Sequence, residues 1–456
     1  MRKFLFIWIL LVVHSSACYA LQLNFAYSEF ATFAFDLYYN AVKENPDQDL
    51  IDDLADFGMQ ESDFLERASV DHLLLFTRTP HMAEDNFFCK LAQLNAIEDL
   101  EQLLNEIDDP AQRDRLYKKI KTNYTAWQQK EPAMSKKAPR VRLHAKILQT
   151  VANKNQERID DFISRLSAFY GTQAMPYSTI TIYLCPESLV STYCNHVMFL
   201  ERHFCQLSPE NVLGVVLHEI AHLLYEYQKT SLKKTIDHFF LHYPSRHAYV
   251  AYQYFNEALA TATGNGAFSE ALTGSPAMQY NNQYIQGFAE AIYEDVKMYL
   301  NEGKEMDKAF LAKSVRHFKK GFPRLHSDLS ELLRRYIILV DEAFDTVKVF
   351  QLFRQHCPSY LARAIYSHSP ESLDNTPSGD ASLRILVLPS EQKGNLAELR
   401  NSNPYLNESK KIKLRKLKEN LDFYRDKQGR LYLFFTANNY TELENLIKEL
   451  KQQRYL

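Results

Sequence analysis

Two histidines four residues apart, His218 and His222, enclose a glutamate, Glu219. On a helix, side chains at i and i+4 project from nearly one face, so the two imidazoles can share one metal ion. Glu219 stands one step round the helix, beside that ion rather than on it. A carboxylate there can take a proton from a metal-activated water. The residues around this motif, Val212 to Leu217 and Ile220 to Leu224, are almost all apolar, which predicts a buried helix. Buried imidazoles and a buried carboxylate are costly unless partnered, and one shared cation satisfies all three. The alternative is a pair of hydrogen-bonded core histidines with a salt-bridged Glu219.

A catalytic zinc site takes three protein ligands and a water. The third ligand is sought downstream, at Asn256-Glu257-Ala258-Leu259-Ala260. Ala258, Ala260 and Ala262 are small enough for this helix to approach the first closely, which favours Glu257. His238, His242 and His247 are its rivals. With two histidines and a carboxylate as donors, Zn2+ is the expected cofactor. A metzincin would need Gly at position 225 and His at position 228, where the chain has Tyr225 and Gln228. No CxxC pair exists, so a cysteine-based zinc site is not expected.

With these residues in place, the stretch from about Ala145 to Thr263 resembles the zincin fold of the gluzincin type, the HExxH zinc metallopeptidases with a downstream Asn-Glu. That resemblance implies His218, His222 and Glu257 as zinc ligands and Glu219 as the catalytic base. It implies hydrolysis of a peptide or protein substrate lying along a strand edge, either Ser178–Leu184 or His196–Leu200. The thermolysin-like pattern places Ser-Asp three and four residues after the ligand glutamate, where this chain has Ala260 and Thr261. The partner that orients a zinc histidine must therefore come from elsewhere. The Gly-x-Met-Glu-Asn aminopeptidase motif is replaced by Val197-Met198-Phe199-Leu200-Glu201. An oxyanion partner is sought among Tyr280, Tyr284 and Tyr293.

Local signals place the elements that must hold these groups. Ser208, Pro209 and Glu210 suit an N-cap, a first helical position and the positive helix end, so the motif helix starts there and runs to about Gln228. Ser178 to Leu184 alternates with a period of two and reads as a strand, with His196 to Leu200 as a second. Ile159, Phe162, Ile163, Leu166 and Phe169 share one helical face that Gly171 can end. Lys130 to Pro139 reads as a linker or exposed loop. The Glu257 helix is expected over Ser245 to Thr263, bounded by Pro244, Gly264 and Gly266, and further helices through Ser327 to Gln355. The tail changes character. It shows strands at Leu383–Leu388 and Arg430–Phe435 and helices at Asn395–Arg400 and Tyr440–Lys451, with Ser367–Ser382 as a linker.

The fold class expected is α+β, mostly helical. It comprises a helical region over 21–139, a zincin-like catalytic domain over 140–375 and a small α/β unit over 376–456. The 456 residues are 46% hydrophobic and carry a formal net charge of −3, which gives no global basic field for nucleic acid. Residues 1–20 have the charged, apolar and small-residue layout of a signal peptide, from Arg2 and Lys3 through Phe4–Val13 to Ala20. The protein is therefore expected to be exported, with no membrane span, and Cys18 is a possible lipid anchor. Export permits disulfides, and Cys185, Cys194 and Cys205 lie close enough in sequence to include one pair. Two other functions fit these residues: an exported binding or adhesion module on the same scaffold, and a zinc hydrolase of non-peptide amides.

Overall fold

The computed structural model describes residues 21–38, 50, 53–54, 83–130, 134–172, 177–186, 192–194, 196–200, 204, 206–333, 336–357, 363–366, 383–391, 410–412, 420–425 and 431–452. The chain divides into two compact units, Met1–Gly321 and Phe322–Leu456. Residues 1–20, Cys205, the expected linker Ser367–Ser382 and the expected helix Asn395–Arg400 lie outside the described residues. The architecture is α+β and mostly helical. Among the described residues no helix is long and apolar enough to cross a membrane.

The first unit opens with strand β1 (Gln22–Ala26), then helices α1 (Glu29–Tyr38), α2 (Ala83–Ala92), α3 (Leu100–Leu104), α4 (Pro110–Lys130), α5 (Met134–Lys154) and α6 (Gln156–Tyr170). Strands β2 (Thr179–Leu184), β3 (Thr192–Cys194) and β4 (Val197–Leu200) follow. They form a sheet of order β1-β2-β4-β3, parallel except for β3. The predicted alternation of β2 holds, with Ile180, Ile182 and Leu184 turned inward. Phe30, Phe33, Phe87 and Leu116 of the N-terminal helices share a core with Cys185, Val197 and Phe199 of the sheet. The region 21–139 is therefore part of the same unit as the strands, not a separate body. The segment read as a linker is largely helical. α5 starts at Met134 and carries Pro139 inside it, in its second turn, where it forgoes one hydrogen bond of the ladder.

The edge of β1 is closed by side chains. Gln149 on α5 accepts from the Phe25 N–H through Oε1 at 2.9 Å and donates to the Leu23 carbonyl through Nε2 at 2.9 Å. Gln156 donates to the Leu21 carbonyl at 3.1 Å. The two amides stand in for a neighbouring strand, a common way to protect an edge.

The motif helix is α7 (Pro209–Glu226), capped as expected by Ser208, whose hydroxyl accepts from the Asn211 N–H at 3.3 Å. Helix α8 (Thr230–His242) leads to α9 (Arg246–Ala260). Here the structure departs from expectation. The chain does not stop at Gly264 and Gly266 but continues as a π-helix (Thr261–Phe268) into α10 (Ser269–Thr273). Helices α11 (Gln283–Glu302) and α12 (Lys308–Gly321) complete the unit.

Gly264 is a packing residue rather than a helix stop. A Cβ there would lie 2.2 Å from the His218 backbone nitrogen and 2.6 Å from its Cα. A Cβ on Gly214 would lie 2.1 Å from the Ser269 hydroxyl. Two glycines thus let the π-helix lie directly against the motif helix. Gly264→Ala is expected to lower stability by at least about 1–3 kcal/mol, because backbone on the facing helix cannot swing aside. Thermal or urea unfolding checks this, with Gly321→Ala as a neutral control, since no atom lies within 4 Å of its added Cβ.

The second unit holds α13 (Leu329–Leu332), β5 (Tyr336–Val340), α14 (Thr346–His356), β6 (Arg363–Tyr366), β7 (Leu383–Pro389), β8 (Lys410–Ile412), β9 (Leu421–Arg425), β10 (Leu431–Ala437) and α15 (Tyr440–Lys451). Its sheet runs β6-β5-β7-β10-β9-β8. Tyr336–Val340 was expected to be helical and is a strand, and with β6 it moves the start of the unit from 376 to Phe322. β5 pairs in parallel on both sides, and its Tyr336, Ile338, Leu339 and Val340 are all buried. A strand buried on both faces shows no period-two pattern for sequence reading to find. The predicted stripe of α15, Leu443, Leu446, Ile447 and Leu450, is buried as expected. Cys185 is a free buried thiol, and Cys205 and the Cys194 side chain lie outside the described residues.

Candidate metal centre

Helix periodicity puts His218 and His222 one above the other on α7, both buried, with their Nε2 atoms 3.1 Å apart. Glu257 reaches them from α9. Its Oε2 lies 3.6 Å from the His218 Nε2 and 3.5 Å from the His222 Nε2. Among the described residues this is the one group of three such side chains able to hold a metal ion. Its shape fits one. A triangle with sides of 3.1, 3.5 and 3.6 Å has a centre about 2.0 Å from each corner, the length of zinc–nitrogen and zinc–oxygen bonds.

The surrounding groups orient the ligand atoms. Asn256 Oδ1 lies 3.1 Å from the His222 Nδ1. That nitrogen donates to it, which fixes the ring with Nε2 turned to the triangle. The Tyr193 ring stacks on the His222 ring at 5.9 Å, and its hydroxyl donates to Glu226 at 2.5 Å. Burial and Glu226 hold the Tyr193 phenol well above its ordinary range, so it remains a donor. The Tyr280 ring stacks on His218 at 6.3 Å, and its hydroxyl donates to the Glu257 Oε2 at 3.0 Å. The His218 Nδ1 is buried without a hydrogen-bond partner.

The electrostatics favour a positive charge at this point. Burial alone would push the His222 imidazolium down, but Glu257, Glu219 and Asn256 outweigh it and hold the group at about 9. Burial would likewise raise Glu257, and the two histidines overcome it and hold the carboxyl well below its usual range. Glu219 is 7% exposed. Burial raises its carboxyl above the ordinary value, His218 and His222 pull it back in part, and Glu257 adds to the rise.

The rival ligands lie elsewhere. His238 and His242 stack on each other along α8 at 4.1 Å, and the His242 Nδ1 contacts the His238 carbonyl at 2.8 Å. His247 is buried in the first turn of α9. Of the three tyrosines, Tyr280 alone meets the triangle. Tyr284 stacks on Tyr254 at 5.9 Å, and Tyr293 donates to Glu270 at 2.8 Å. The expected strand edges also need correction. β2 lies between β1 and β4, and β4 between β2 and β3, so neither offers a free edge. The strand beside the histidines is β3, which carries Tyr193. Asn256 and Tyr193 were missed by sequence reasoning. The only trace of the first was an asparagine adjoining Glu257.

Asn256→Ala is expected to weaken metal affinity about 10- to 100-fold, the usual effect of losing a partner behind a ligand histidine. Competition with a chelator of known affinity measures it, and Asn256→Asp should recover most of the loss. Compared with family models, curated proteins and solved structures, the chain matches none.

Proposed function

We propose that this chain is an exported zinc metallopeptidase on a zincin-type scaffold. The observation that carries the reading is the triangle of the buried His218 and His222 with the half-buried Glu257, and Glu219 next to His218 on the motif helix. His218, His222 and Glu257 would hold a zinc ion there, and the ion would supply a Lewis acid that brings the pKa of a bound water to about 7. Glu219 receives the water's proton on its carboxylate and passes it to the departing amine nitrogen. Tyr280 holds Glu257 in place through its hydroxyl, and Asn256 does the same for His222. The β1 edge is blocked by Gln149, so an extended peptide backbone pairs with β3, next to the His222 ring.

Metal analysis of the purified protein, paired with cleavage of a diverse peptide library, tests this. One zinc per chain with cleavage is expected. Stoichiometric zinc with no cleavage would turn the reading to a binding module, and no zinc would end it. Export rests on residues 1–20, and N-terminal sequencing should then begin near Leu21 or show an acylated Cys18.

A further inference from the structure

Helix α5, Met134–Lys154, carries Lys136, Lys137, Arg140, Arg142, Lys146 and Lys154 and no acidic residue, in a chain whose net charge is −3. Solvated helices of high charge usually pair opposite signs at i,i+4, as Lys118 and Asp114 do on α4 at 3.7 Å. α5 has no acid with which to do so. Its inner face is ordinary core: Ala138, Val141, Ala145, Leu148 and Ala152 are buried, and the helix packs on β1 and α7. Its outer face is not ordinary. Leu143 and Ile147, one turn apart, are 58% and 40% exposed. Arg140, Lys146 and Lys154 are exposed around them. A helical projection at 100° per residue puts Arg140, Leu143, Ile147 and Lys154 within one outward sector, with Lys146 at its margin.

A groove of about 500 Å³ runs beside this face, between α5 and the outer side of β1. Arg142, Lys146, Gln149 and Asn153 line it from the helix, and Asn24 and Tyr27 from the strand side. The Arg142 guanidinium lies 5.7 Å from the Tyr27 ring centre. The Tyr27 hydroxyl is buried with no hydrogen-bond partner. The groove is thus rich in donors and holds no carboxylate.

We propose that the outer face of α5 docks on an anionic lipid bilayer. Two exposed alkyl side chains ringed by cations match the layering of such a surface, with acyl chains beneath phosphates. Leu143 and Ile147 enter the acyl boundary, Arg140, Lys146 and Lys154 meet phosphates, and the groove receives a headgroup. Nucleic acid offers the phosphates without the alkyl layer and leaves Leu143 and Ile147 unaccounted for. The proposal does not depend on the metal centre.

The test is co-sedimentation of the full chain with vesicles of phosphatidylcholine alone or mixed with phosphatidylglycerol. Binding is expected only to the mixed vesicles and should fall as salt is raised. The doubly substituted Leu143→Ser/Ile147→Ser and Arg140→Glu/Lys146→Glu proteins should each bind at least about tenfold more weakly. All the substituted side chains are exposed, so thermal unfolding and metal content should match the native chain and show that both variants fold. Equal binding to both vesicle types, binding to neither, or native-like binding by the Leu143→Ser/Ile147→Ser protein would overturn the proposal. So would capture of a nucleic-acid duplex in place of vesicles.

Discussion

Glu219→Gln is expected to leave zinc content near that of the native chain and to lower turnover by about 10²- to 10⁴-fold, the worth of a positioned acid–base group. The amide keeps the size and hydrogen-bonding reach of the carboxylate but cannot accept the proton. Glu219 lies next to a ligand histidine on α7, and the triangle of ligand atoms is complete without it. Its buried setting raises its carboxyl, with the two histidines drawing it partly back. Paired measurements of zinc stoichiometry and peptide hydrolysis decide the matter. If zinc is lost along with activity, Glu219 serves the fold or the metal and the assignment of the base is wrong. If activity survives, another group takes the proton.

His222→Ala is expected to abolish stoichiometric zinc binding, and turnover with it. It removes one corner of the triangle and also the group through which Asn256 acts. Two donors remain, fewer than the three protein ligands of a catalytic zinc site. Glu257→Gln tests the third corner more gently. A neutral amide is a poor zinc ligand, so occupancy should drop while the fold persists, because the Glu257 side chain is 38% exposed. The contrast with Glu219→Gln is the point: one glutamine should spare the metal and the other should not. Zinc retained by the His222→Ala protein would mean that the ion sits elsewhere. Zinc retained by the Glu257→Gln protein would send the search back to His238, His242 and His247.

The C-terminal unit shows where local pattern suffices and where it does not. The stripe of α15 was legible because one of its faces meets solvent, so apolar and polar residues alternate with the turn of the helix. β5 was misread because both its faces are covered and its residues are uniformly apolar. β1 was passed over although it alternates, with Leu23 and Phe25 buried and Gln22 and Asn24 exposed, because five residues are a short run and its edge is completed by Gln149 and Gln156 from far along the chain.

At the metal centre the sequence by itself determined what one helix can do. The i,i+4 pair, Glu219 beside it, the Ser208 cap and the apolar surround are all set by the geometry of a single turn repeated. Glu257 was legible as the favoured candidate over three histidines, from the small residues around it. Only the tertiary structure brought its carboxylate to the two Nε2 atoms, placed Asn256 behind His222, and laid Tyr193 and Tyr280 on the two rings. It also exchanged the expected strand edges for β3. The physical reason is that helix periodicity is local, whereas the approach of a second helix is decided by what lies between the two. Here that is almost nothing: Gly264 packs against the backbone of His218, and the absence of one Cβ permits that closeness.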